Sequence, residues 1–122
     1  MVNEKTNQAL NTYINNSIEL RRSSLEFLKD VAIKNWETIC TLKKSNSLTK
    51  VCIRFCFNGD MWLLDSTNAN HLIWVIQDFW IWKYNSDLLN LMGVIARNSG
   101  LCSCVTPINT TEHYGEIEIT FK

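Results

Sequence analysis

Val51-Cys52-Ile53-Arg54-Phe55-Cys56-Phe57-Asn58-Gly59-Asp60-Met61-Trp62-Leu63-Leu64 decides how the chain is read. Val51, Ile53, Phe55 and Phe57 alternate with Cys52, Arg54 and Cys56, the period-two pattern of a strand buried on one side. Asn58-Gly59 then supplies the pair favoured in a two-residue type I′ turn, where both positions need positive φ. The stretch therefore predicts a β-hairpin. With Phe57 opposite Asp60, Phe55 faces Trp62 and Ile53 faces Leu64 on one side, leaving Arg54 and Leu63 on the other.

Upstream, residues 4 to 44 read as helix. Leu10, Ile14 and Ile18 recur at steps of four, and Leu25, Leu28, Ala32, Trp36 and Ile39 continue at three and four. Arg21, Arg22 and Ser23 interrupt the stripe, and Ser23 with Glu26 has capping-box spacing, so a joint is expected near Ser23. Lys43 and Lys44 suit the negative end of the helix dipole, and Ser45-Asn46-Ser47 ends the helix. Downstream, Asp65-Ser66-Thr67-Asn68 offers N-caps for a helix from about Ala69 to Tyr84, although the aromatic and β-branched content there also suits a strand. A helix over Leu88 to Arg97 follows, stopped at Asn98-Ser99-Gly100. Leu101 to Thr106 reads as a short strand, Pro107 to His113 as a loop, and Tyr114 to Phe121 as the last strand. In that strand Gly115, Ile117, Ile119 and Phe121 face inward, and Glu116, Glu118 and Thr120 face solvent. The expected fold is α+β: N-terminal helices, then a mostly antiparallel sheet of about four strands made of a hairpin, a helical segment and two C-terminal strands.

A chain of 122 residues is the size of one domain, so residues 1–122 are expected to share one core. Twelve Lys plus Arg balance twelve Asp plus Glu, which disfavours a simple electrostatic nucleic-acid binder. The polar N-terminus lacks a signal-peptide apolar region, and the most apolar run, His71 to Tyr84, is interrupted by Gln77, Asp78 and Lys83. These features predict a cytoplasmic protein without a membrane span. Five cysteines, an odd number, then read as reduced thiols. Fourteen Asn and a single Pro suggest an AT-rich gene of bacterial or phage origin.

The residues that carry chemistry are sparse. Cys52 and Cys56 on one strand stand about 13 Å apart at ~3.3 Å per residue, too far to share a zinc ion whose ligand bonds are about 2.3 Å. No metal site is expected. The four glycines are scattered and form no phosphate-binding loop, so no nucleotide cofactor is expected either. His71 and His113 sit in no motif that places a nucleophile beside them, and no catalytic residues are assigned. A metal-independent hydrolase or nuclease using one of these histidines is one alternative. Another is an RNA- or DNA-binding module on the basic first helices, using Arg21, Arg22, Lys29, Lys43, Lys44 and Lys50. Those helices also carry Glu19, Glu26, Asp30 and Glu37, so their surface is mixed.

Tryptophan is the oddity, with five residues, three of them between Ile73 and Trp82. On a helical wheel of about 100° per residue, Trp74 and Ile81 fall among Asn70, Gln77 and Asp78, forming an apolar ridge on the wet side. Tryptophan is enriched at binding hot spots because it buries large area at small entropic cost. Glu112, Tyr114, Glu116 and Glu118 form a second, acidic surface suited to a basic partner. Solvating glutamates on an edge strand would have the same appearance. Taken together, these features predict a small protein-binding inhibitor, such as an immunity or antitoxin protein that occludes the active site of a cognate toxin or enzyme. Its contact residues would be Trp74, Asp78, Ile81, Glu112, Tyr114, Glu116 and Glu118, and the Trp-rich segment also suits homo-oligomer formation.

Overall fold

A computed structural model describes residues 2–56, 61–68, 71–76, 85–111 and 114–122. The elements run α1 (Glu4–Asn15), α2 (Glu19–Asn46), β1 (Lys50–Cys56), β2 (Met61–Asp65), β3 (His71–Ile76), α3 (Asn85–Asn98), β4 (Cys102–Val105), β5 (Asn109–Thr110) and β6 (Tyr114–Phe121). The sheet order is β3-β2-β1-β6-β4, with β5 also on β6, and every pairing is antiparallel. This is the expected α+β arrangement with more strands than predicted. Among the described residues, no helix is long and apolar enough to cross a membrane.

The helical N-terminus breaks earlier than the sequence suggests. Asn3 caps α1 by accepting the Thr6 N–H at 2.8 Å, and α1 ends at Asn15 rather than running on to Ser23. Arg22 explains the position. Its guanidinium donates to the Ser17 and Asn15 carbonyls, each at 3.2 Å, satisfying acceptors that a helix end leaves free. Ser23 therefore lies inside α2, and its capping box is not used. Arg21 bonds Asp87 and ties α2 to the start of α3. At the other end, Ser47 adopts a left-handed conformation (φ 52°), and the Leu48 N–H returns to the Lys43 carbonyl.

The hairpin forms, one residue out of the expected register. Phe55 pairs with Met61, Ile53 with Leu63 and Arg54 with Trp62. Five residues separate Phe55 from Met61, and a regular ladder closed by a two-residue turn needs an even number. Residues 57–60, which include Asn58-Gly59, lie outside the described residues. The slip exchanges the faces of β2: Met61 and Leu63 point into the core, and Trp62 points away.

The helix expected over Ala69–Tyr84 is contradicted at its beginning, where His71–Ile76 is a strand. Residues 69, 70 and 77–84 lie outside the described residues. Asp65 accepts both the backbone N–H and the hydroxyl of Thr67, at 3.0 and 2.8 Å, and so forms a turn rather than a helix cap. The β-branched and aromatic run Ile73-Trp74-Val75-Ile76 then pairs along β2. A register shift at Leu63/Leu64 leaves Ile73 and Trp74 both packed on the core side.

α3 begins slightly before its expected start and stops as predicted, with Gly100 at φ +78°. It lies directly on β6, β4 and β1, while α1 and α2 pack against α3. The approach to β6 is close at Gly93, where a Cβ would come within 2.9 Å of the Ile117 side chain. The last strand matches the sequence reading, with Gly115, Ile117, Ile119 and Phe121 buried. It is an interior strand, however, with β1 on one side and β4 and β5 on the other. β4 and β5 share one edge of β6, separated by a segment containing Pro107, which has no N–H to give to a ladder.

Candidate functional site

All three helices contribute to one buried cluster with the inward residues of the sheet, among them Leu28, Ile39, Leu91, Ile53, Leu63 and Ile117. The outward residues make a second face that carries no other described element. Its composition follows from the ladder. One row across it is Val75, Trp62, Arg54 and Glu116, and the neighbouring row is Leu72, Leu64, Cys52 and Glu118. The β3–β2 half is therefore apolar and the β1–β6 half is charged. Leu72 is 47% exposed, and Trp62 and Val75 are half-buried. Cys52 and Leu64 are buried between their longer neighbours, although neither belongs to the helix-side cluster.

The charged half is internally paired. Arg54 donates through Nε and Nη2 to Glu116 Oε2, at 3.1 and 2.9 Å. The Cys52 thiol donates to the same oxygen at 3.3 Å. Arg54 also lies 4.5 Å from the centre of the Tyr114 ring, a cation–π contact. One step along the strands, Lys50 Nζ meets Glu118 Oε1 at 3.1 Å. Burial, reinforced by the charge and hydrogen bond of Glu116, pushes the Cys52 thiol up to about 12. Burial likewise raises Cys40 and Cys102. These three thiols are protonated at neutral pH and make poor nucleophiles.

The residues expected to form the site separate accordingly. Tyr114, Glu116 and Glu118 share the open face, but as half-buried partners of β1 cations rather than a free acidic ridge on a sheet edge. Trp74 does not join them. It pairs with Leu63 and packs on the helix side, because this stretch is a strand and the ridge drawn on a helical wheel does not exist at Trp74. Asp78, Ile81 and Glu112 lie outside the described residues. Among the described residues, the tryptophan on the open face is Trp62, which the hairpin register expected from the sequence places on the same side as Phe55. The alternation around Arg54 was the signal that could have found it, had the hairpin been allowed an odd-length connection.

The alternatives meet the structure in other ways. His71 is exposed at the start of β3, and His113 lies outside the described residues. Among the described residues, no group of three or more His, Cys, Asp or Glu side chains is placed to hold a metal ion. Five of the six cations of the basic arm are engaged within the protein: Arg21 with Asp87, Arg22 on the end of α1, Lys29 with Asn11, Lys43 over the Phe121 ring and Lys50 with Glu118. The chain matches no protein-family model, and neither the curated proteins nor the solved structures yield a match.

Proposed function

We propose that the protein is a stoichiometric protein-binding inhibitor, acting in the cytoplasm as an immunity or antitoxin protein does. It would use the open face of its sheet to occlude a working surface of a cognate toxin or enzyme. The observation that carries this reading is the composition of that face: Trp62, Leu72 and Val75 form an apolar patch beside the Arg54–Glu116–Tyr114 cluster. An apolar centre with a polar rim is the anatomy of a protein interface, and Trp, Tyr and Arg are the residue types that dominate binding energy. The paired charges favour discrimination over bulk attraction. A partner must offer groups that match an already neutralised array, so the first expectation of a basic target drawn to free glutamates gives way to a largely apolar contact with polar registration.

The test is capture of partners by the tagged protein from a lysate of its source cells, followed by sizing of the eluate. The reading predicts one partner in fixed stoichiometry, with retention lost on Trp62→Ala. Truncating an interface tryptophan typically costs about 2 kcal/mol or more, roughly 30-fold in affinity. An eluate without a partner, or a partner held equally well by Trp62→Ala, would contradict it. Turnover of a substrate abolished by His71→Ala would favour the enzyme alternative.

A further inference from the structure

The last turn of α2 and the turn from α3 to β4 enclose a trough on the helix side of the molecule. Gly100, at φ +78°, reverses the chain after α3. The Ser99 hydroxyl then fixes the turn by donating to the Ala96 carbonyl at 2.8 Å and accepting the Leu101 N–H at 3.1 Å. The backbone N–H of Lys122 donates to the Leu101 carbonyl at 3.0 Å. Leu101 is thus held in place from both sides with its side chain 49% exposed.

Two adjoining cavities run along it. The larger, about 380 Å³, is lined by Trp36, Glu37, Cys40, Thr41, Lys44 and Leu101. The smaller, about 190 Å³, lies against Cys40, Gly100 and Leu101 and is rimmed by Lys43, Lys44 and Lys122. Cys40, Lys44 and Leu101 belong to both, so the two form one trough. Among the described residues, none of the three lysines has a carboxylate partner. Lys43 lies 5.1 Å from the centre of the Phe121 ring. Among the described lining residues, the acidic one is Glu37, which belongs to the larger cavity and not to the smaller. The trough therefore combines apolar walls at Trp36, Cys40 and Leu101 with lysines along its length, most of them around the smaller cavity.

We propose that this trough is a second docking site, which takes an acidic segment of a partner protein bearing one bulky apolar side chain. The apolar side chain enters between Trp36 and Leu101, and the neighbouring carboxylates lie over Lys43, Lys44 and Lys122. Charge complementarity selects the acidic character, and the Trp36–Leu101 wall selects the apolar residue. A nucleic-acid strand suits the trough less well, because three cations make a short phosphate track. The site is separate from the open sheet face and stands or falls independently of it.

The experiment uses the full chain and a short fluorescein-labelled peptide of Asp and Glu around a single Phe, followed by anisotropy at low salt. Saturable binding is expected. It should weaken about tenfold or more for the Lys44→Glu/Lys122→Glu double variant, since two attractive charges become repulsive. Replacing the peptide's Phe by Ala should weaken binding by a similar factor, and Trp62→Ala should leave it unchanged. Lys44 and Lys122 are exposed, so the double variant keeps its core; circular dichroism verifies this. No saturable binding would overturn the proposal, as would equal binding by the double variant or by the peptide without Phe. A single-stranded oligonucleotide that binds more tightly than the peptide, through the same lysines, would replace it with a nucleic-acid site.

Discussion

The two faces of the sheet are built from the same strands and obey different rules. On the helix side, Ile53, Leu63, Ile117 and Ile119 are fully or almost fully buried and interact through shape. On the open side, Cys52, Arg54, Glu116 and Glu118 interact through charge and hydrogen bonds between specific atoms. Alternation along a single strand determines which residues share a face. Only the pairing of strands determines what each residue meets there. The difference matters most for Glu116. Within β6 it is a solvent-side carboxylate, but beside β1 it is the shared acceptor of a guanidinium and a thiol.

The largest expected effect tests the packed side. Phe55 and Gly115 are ladder partners, and the Phe55 ring lies over the glycine, so a Cβ on residue 115 would come within 2.4 Å of it. Gly115→Ala should therefore destabilise the protein by about 1–3 kcal/mol through overpacking. Phe55→Ala alone should cost about 3–5 kcal/mol. In the Phe55→Ala background the Gly115→Ala penalty should vanish, a coupling visible in urea denaturation. Simple additivity would mean that ring and glycine are not in contact.

An intermediate effect contrasts two ion pairs on the open side. The Arg54–Glu116 side chains are 23% and 26% exposed, and those of Lys50 and Glu118 are 40% and 38% exposed. Glu116→Gln removes the charged acceptor of two guanidinium bonds and should cost about 1–3 kcal/mol. Lys50→Met should cost less than about 1 kcal/mol, because exposed pairs contribute little. Equal costs, measured by denaturation in the same buffer, would mean that the open side does not rank its charges by burial.

The smallest effect concerns Cys52. Its folded value of about 12 lies above the ordinary thiol value of 9.0. A raised value means that the folded state holds the proton more tightly. The associated stability is therefore full below about pH 9 and is lost as pH rises towards about 12. Over that window Cys52→Ala should lose stability less steeply than the wild type. In native protein, iodoacetamide should modify exposed Cys104 well before Cys52. Comparable rates, read by peptide mass mapping, would place Cys52 in solvent.

How far the sequence could be read follows the same division. The last strand was legible to the residue, because Gly115, Ile117, Ile119 and Phe121 alternate cleanly. α3 and its glycine stop were legible from local chemistry. β3 was not: its apolar run fits either period, and the decisive factor was a free edge of β2, a tertiary fact. The helix joint was misplaced because Arg22 reaches back to the end of α1 over a distance that a local capping motif does not report. Half of the open face was visible as Tyr114, Glu116 and Glu118. Trp62 was lost to a one-residue slip, and Arg54 and Lys50 to the absence of any sequence signal that β1 lies beside β6.

In the proposed function the open face is the surface through which the protein works. Calorimetric titration of the captured partner against wild type, Trp62→Ala and Lys34→Ala tests this most directly, because Lys34 is exposed on α2, on the other side of the sheet. The predicted result is roughly 30-fold weaker binding for Trp62→Ala and wild-type affinity for Lys34→Ala. Wild-type affinity for Trp62→Ala, with its fold intact, would contradict the account.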